Sequence, residues 1–252
     1  VDEHNGTPVL WTLSQPYGAK DWWPCKQDLN DKIDSLDMYV TTPEAYRAAG
    51  IGVLAGQQEN DGGTTWHWRH RHPIAYYLIA TAVTDYVVQV FDIDLPEVTV
   101  PMEVYAYPED AYMMRLNAED ILEQMPLFSE LFGTYPFADE KYGHAQFGWG
   151  GGMEHQTINA YGNGYKLDGK GYDWLLQHEL AHEWFGNQLT NADWDDMWLH
   201  EGFGTYMQPL YARWLNGERA MQAELQTMRL ALANRFPVVS GRSQDAGTVY
   251  DD

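Results

Sequence analysis

Four side chains of this 252-residue chain are spaced for metal chemistry: His178, Glu179, His182 and Glu201. The first three lie in "HELAH". At 3.6 residues per turn, residues four apart stand one above the other on a helix face, so His178 and His182 can grip one zinc ion together. Glu179 is then placed to act as a base. Glu201 follows His182 by nineteen residues, at the start of another helical stretch. A helix, a short connection and a second helix bring that carboxylate back to the first. Two His and one Glu leave a fourth zinc position open for water, which is the catalytic arrangement rather than the structural one. An ordinary amphipathic helix can carry the same letters, and a lone Glu at a helix start is favoured by the helix dipole. Taken together, the four residues point to metal-assisted hydrolysis. The spacing alone does not say where in a peptide cleavage falls.

A second stretch, "GGMEHQ" (Gly151–Gln156), ends a run of three glycines and presents Glu154. Glycine runs mark turns or close backbone approaches.

These motifs resemble the zinc aminopeptidase N family, including its leukotriene hydrolase branch. "HELAHEWFGNQLT" followed by "WLHEGFGTY" matches the family pattern H-E-x-x-H, eighteen residues, then Glu. "GGMEHQ" is similar to G-x-M-E-N, with His155 in place of Asn. "YGAKDWWPCKQD" (Tyr17–Asp28) is similar to A-R-x-x-x-P-C-x-D, and "HPIAYYLIATAVTDY" to P-x-x-x-Y-L-x-A. The resemblance implies one zinc ion held by His178, His182 and Glu201, with Glu179 as general base. It implies peptide substrates with a free amino terminus, recognised by Glu154. Gly151, Gly152, Met153 and His155 are implied to contact the substrate, and Gln15 to line the first side-chain pocket. His155 introduces a group that titrates near pH 6.5 where the family has an amide. The family also uses a tyrosine in a Y-x-K-G context on the tetrahedral intermediate. Tyr250 is the candidate, but "YDD" lacks the Lys-Gly and stands too close to Glu201, which places that tyrosine beyond Asp252. A zinc endopeptidase, a leukotriene-type epoxide hydrolase and an inactive zinc-binding module remain as alternatives on the same ligands.

The elements that position these residues read as α+β. The resemblance implies a partial β-sheet domain over residues 1–98 and a truncated thermolysin-like catalytic domain over 99–252. Strand texture covers Ser35–Thr42, Ile51–Gly56, Thr64–His70 and the whole of Tyr76–Ile93, with "NDGG" (Asn60–Gly63) as a hairpin turn. "DIDLPEVTVP" (Asp92–Pro101) reads as a crossing between domains. One more strand follows, then a helical stretch over Glu109–Gly133 interrupted at Pro126. "HAQFGWGG" and "EHQTINAYG" read as a strand pair around the glycines. Helices are expected over Tyr172–Asn187, Glu201–Asn216 and Glu218–Phe236.

Three other groups of residues invite chemistry and have plainer readings. His67, His70 and His72 in "WHWRHRH" fit a structural strand better than a second metal site. Asp195 and Asp196 fit a solvated acidic turn. Cys25, the single cysteine, fits a buried thiol and excludes an internal disulfide. Composition bounds the rest. With 15 basic against 37 acidic residues the net charge is −22, which argues against binding a nucleic-acid backbone. No apolar run reaches the ~18 residues of a membrane span. The chain opens at Val1 and stops at "VYDD", so both ends read as cuts, and cytoplasmic and exported settings both stay open.

Overall fold

The structure, a computed structural model, describes every residue except Asp168, Lys170, Ala246 and residues 250–252, so Tyr250 lies outside the described residues. In chain order the strands are β1 (Asp2–His4), β2 (Thr7–Trp11), β3 (Leu36–Pro43), β4 (Arg47–Gly50), β5 (Val53–Asn60), β6 (Gly63–His70), β7 (Thr81–Thr84), β8 (Val87–Asp94), β9 (Thr99–Ala106), β10 (Tyr142–Gln146), β11 (Gly152–Met153) and β12 (Asn159–Tyr161). The helices are α1 (Ala111–Phe132), α2 (Trp174–His182), α3 (Trp198–Asn216) and α4 (Glu218–Ala231). Strands come first and helices gather after them, as the α+β reading expects.

Two sheets hold the first seven strands, in the orders β1-β2-β7-β4 and β3-β6-β5. The β5–β6 hairpin closes on Asp61-Gly62, with Gly62 at φ 81°. A third sheet runs β11-β12-β10-β9-β8. Its strand β9 alternates cleanly. Met102, Val104 and Ala106 face the helices, while Tyr105 and Tyr107 pack toward the first sheets. β10, at the middle of this sheet, is buried on both faces, while β8 at its edge leaves Val90 exposed.

Several boundaries differ from the sequence reading. Tyr76–Ile93 is not one strand: a 3-10 turn at Tyr76–Leu78 precedes β7 and β8, which belong to different sheets. A run rich in β-branched and aromatic residues hides that break, and the chain changes sheet at Asp85-Tyr86. Asp92–Pro101 is not a crossing between domains. It is the turn of the β8–β9 hairpin, closed by Leu95 N–H donating to the Val98 carbonyl at 2.9 Å. The boundary drawn at residue 98 thus falls inside one antiparallel pair. Around the glycines there is no simple strand pair either. β10 and β12 are parallel neighbours, and β11 folds back antiparallel on the outer edge of β12.

α1 continues through Pro126. A helix-interior proline costs ~3 kcal/mol, and here Met114, Ala118, Ile121, Met125 and Phe128 form a fully buried stripe along the helix. Met114, Ile121, Met125 and Phe128 each contribute about 1.5–3 kcal/mol by burial, which offsets the proline. α2 is shorter than expected. Asp173 caps it, accepting from Leu175 N–H at 3.0 Å and Leu176 N–H at 3.3 Å. After His182 the chain leaves the helix so that Trp184 can pack edge-on against Tyr135 and Phe128, and Phe185 against Phe132. α4 stops at Ala231, short of Phe236.

Two predictions follow from this packing. Phe128→Ala opens a cavity beneath Trp184 and destabilises the fold by about 3–5 kcal/mol, measured by urea unfolding. His144 on β10 and His155 after β11 are both buried, and burial lowers each to about 3. An unfolded histidine titrates near 6.5, so below that pH only the unfolded state takes up these protons. Their contribution is fully present above about 6.5 and is lost as pH falls toward 3, at ~1.4 kcal/mol per pH unit for each. His155→Asn should shallow the acid slope of unfolding free energy by one proton; an unchanged slope would show that His155 is not held neutral.

Candidate metal centre and cleft

α2 is nine residues long and carries His178 and His182 one turn apart, with ring centroids 4.5 Å apart and planes at 86°. Their Nε2 atoms face each other at 3.1 Å. His182 Nδ1 is 2.9 Å from the Phe185 carbonyl oxygen, a contact that makes Nδ1 the donor and leaves the Nε2 lone pair pointing inward. Glu201 enters from the first turn of α3, its Oε2 lying 3.2 Å from His178 Nε2 and 3.7 Å from His182 Nε2. A tetrahedral ion with bonds of ~2.0–2.1 Å has ligand–ligand edges of about 3.3–3.4 Å. The three atoms therefore describe one face of such a tetrahedron, and the donor set of two imidazoles and a carboxylate fits zinc. Gly204 on α3 makes this approach possible. A Cβ there would stand 3.1 Å from His182 Cε1 and 3.3 Å from His178 Cε1.

A second carboxylate pair flanks the face. Ligand atoms of Glu154, Glu179 and His182 lie within 4.8 Å of one another. Glu179 Oε2 is buried with no hydrogen-bond partner, and the carboxylate rests on the bare Cα of Gly152, where a Cβ would come within 2.0 Å of Oε1. Glu154 accepts from the buried Tyr77 hydroxyl at 3.4 Å. Burial raises the pKa of both carboxylates, and the neighbouring carboxylates add to it. Burial also lowers His178. For His182 burial acts downward, but Glu201 and Glu154 hold it above its ordinary value. A bound dication reverses this balance and favours ionised carboxylates and neutral imidazoles.

The open cleft, of ≈ 440 Å³, brings together Gln15, Gly151, Gly152, Met153, Glu154, His178, Glu179, His182 and Glu201. Trp174, Leu175, Thr205 and Gln208 complete it. Trp174 was legible in principle, because it stands four residues before His178 on the same helix face. Tyr77 was not, since only the tertiary fold carries it to Glu154. No Lys or Arg lines the cleft among the described residues.

His155 is a correction. It does not line the cleft. Its ring lines a cavity of ≈ 20 Å³ with Trp11, Leu13, Ala49 and Phe147. With its pKa at about 3, it cannot supply the titration near pH 6.5 expected from the sequence. The three histidines of "WHWRHRH" make structural contacts. His67 pairs with Asp37, His70 with Glu140 and His72 with Asp139. Asp195 and Asp196 lie in a 3-10 turn, where Asp196 accepts from Trp198 Nε1. Cys25 is partly buried and free.

Comparison with known proteins places these observations. Residues 152–245 match the peptidase family M1 domain. Leucine aminopeptidase 2 of Neosartorya fischeri is 28% identical over 224 residues, covering 84% of this chain and 34% of that protein. A two-domain M1 zinc metallopeptidase mutant, solved with L-tryptophan bound, superposes with a TM-score of 0.80 at 25% identity, covering 99% of this chain and 55% of that one. The M1 zinc metallopeptidase mutant of Deinococcus radiodurans, solved with a Tyr-Ser-Ala substrate, gives 0.77 at 25% identity, with 96% and 54% covered. The chain thus spans about a third of the curated relative and about half of the solved structures. Residues 152–245, which match the peptidase family M1 domain, supply every cleft residue except Gln15 and Gly151; the resemblance to the zinc aminopeptidase N family holds.

Proposed function

We propose that the protein is an aminopeptidase that removes the N-terminal residue of peptides with one zinc ion held by His178, His182 and Glu201. The observation that carries this reading is the buried carboxylate of Glu154, within 4.8 Å of Glu179 and His182, in a cleft lined by no basic side chain. When bound, zinc lowers the pKa of water and polarises a carbonyl. The protein's own groups do the rest. Glu179 Oε2, buried and unpartnered, takes the proton of the attacking water and passes it to the leaving amine. Glu154 pairs with the substrate's α-ammonium, which is largely protonated near pH 7. A blocked terminus would leave that carboxylate desolvated and unpaired, so the anchor also rejects the wrong substrate.

β11 stands at the end of its sheet, so its outer edge is free to pair with an extended peptide. Gly151, Gly152 and Met153 line that side of the cleft, and Gln15 reaches it from the first sheet region. The similarity to leucine aminopeptidase 2 and to a zinc metallopeptidase solved with a tripeptide supports the same reading.

Glu154→Ala in the intact protein should slow cleavage of free-amine substrates on the order of 100-fold while slowing N-acetylated ones little. Equal slowing of both would turn the reading toward an endopeptidase. Glu179→Gln should lower kcat on the order of 1,000-fold with zinc affinity retained. Unchanged amide turnover in that variant would instead identify an inactive zinc-binding module.

A further inference from the structure

Glu154 and the α2 ligands sit on separate elements, and their spacing must be held. The segment that follows Glu154 is fixed at Thr157, a fully buried residue in the left-handed region at φ 67°. A β-branched residue is strained there and persists only where its surroundings over-determine it. Those surroundings are unusual. Thr157 N–H donates to Glu183 Oε1 at 3.1 Å. Lys141 Nζ donates to the Thr157 carbonyl at 2.9 Å. Gly52 N–H donates to Thr157 Oγ1 at 2.8 Å. Glu183 is the residue after His182, so the carboxylate that holds Thr157 N–H is anchored at the end of α2. Lys141 and Glu183 are both buried, Glu183 completely. The neighbouring Gln156 is held too, its Nε2 donating to His70 Nε2 at 2.8 Å and to the Pro73 carbonyl at 3.2 Å.

We infer that Glu183 and Lys141 are positioning residues: they clamp the two backbone groups of Thr157 and so set the distance between Glu154 and the His178–His182 pair. This rests on the aminopeptidase reading of Glu154. Neither residue lines the cleft. A buried lysine and a buried glutamate outside the cleft are costly to keep, and the clamp gives them a use. Loosening it lets the Glu154 segment drift while leaving the metal ligands, carried by α2 and α3, in place. A displacement of ~1 Å at a positioning group can cost 100-fold in rate.

The test uses the intact protein and two substrates, a peptide with a free amino terminus and its N-acetylated form. Lys141→Met/Glu183→Leu removes both arms without leaving a lone buried charge, and Glu183→Gln keeps an acceptor for Thr157 N–H. The double variant should raise KM for the free-amine peptide about 10- to 100-fold, with zinc affinity and activity on the acetylated peptide unchanged, while Glu183→Gln stays near wild type. A proportional loss of zinc affinity, or an unaltered preference for the free amine, overturns the inference. Hydrogen exchange on the wild type gives a test that needs no variant: the Thr157 amide should exchange as slowly as the α2 core, and fast exchange there overturns the clamp. A wild type that treats both substrates alike sinks the aminopeptidase reading itself, which is a different result from a discriminating wild type that the double variant leaves unchanged.

Discussion

Three buried carboxylates, Glu154, Glu179 and Glu201, converge on two imidazoles in a cleft that no Lys or Arg lines among the described residues. That crowding is the constraint the rest of the structure serves. Like charges packed this closely raise one another's pKa and resist ionising together. A dication at the face formed by His178, His182 and Glu201 resolves the conflict, because it is the opposite charge the protein itself does not place there. The surroundings must then hold three carboxylates against their mutual repulsion. α2 is short, capped by Asp173 and wedged by Trp184, and so has little freedom to relax. Asp173 is itself held by Asn117 of α1 and Tyr161 of β12. One carboxylate therefore ties the start of the ligand helix to both the longest helix and the central sheet.

Sheet and helices meet through bare backbone. Gly152 gives its missing Cβ to Glu179, and Gly204 gives its own to the two imidazoles. Each glycine lets an element approach by about the width of a methyl group. In the sequence, the glycine run read as a turn or a close backbone approach, with substrate as the partner that the resemblance implied. The structure gives Gly152 a nearer occupant, the protein's own general-base candidate, and leaves the outer edge of β11 for a substrate.

How much was legible follows from range. His178, Glu179 and His182 could be read because helical period is local, and Glu201 because a short connection returns α3 to α2. Glu154 owed its role to family resemblance, since nothing near it in sequence demands a carboxylate. The misread features are those decided far away. Pro126 stays helical because the stripe around it is buried against β8, β9 and α2. Asp92–Pro101 turns back because β9 completes a sheet with β10, some forty residues on. His155 was implied as a substrate contact by the motif that holds Glu154, yet the chain turns at Glu154, His155 N–H donating to the Met153 carbonyl at 2.9 Å, and the two side chains part. Its ring went to the core for the same reason that Glu154 went to the cleft.

The same logic bears on Lys141 and Glu183. From sequence they are two charges among many, in a chain of net charge −22, and solvent is their default surroundings. Burial changes what each must do. A buried lysine with its ammonium on a backbone carbonyl, 5.5 Å from the Trp68 ring, has given up water for one strong donor contact and one aromatic face. A buried glutamate beside His182 has done the same for the Thr157 N–H and for contacts with Asn187 and Tyr135. Both backbone contacts fall on Thr157, the one β-branched residue at positive φ among the described residues. Strain at one residue and two costly buried charges thus explain each other. The geometry they are proposed to fix is the separation between the candidate metal ligands and the carboxylate that would read a peptide's first residue.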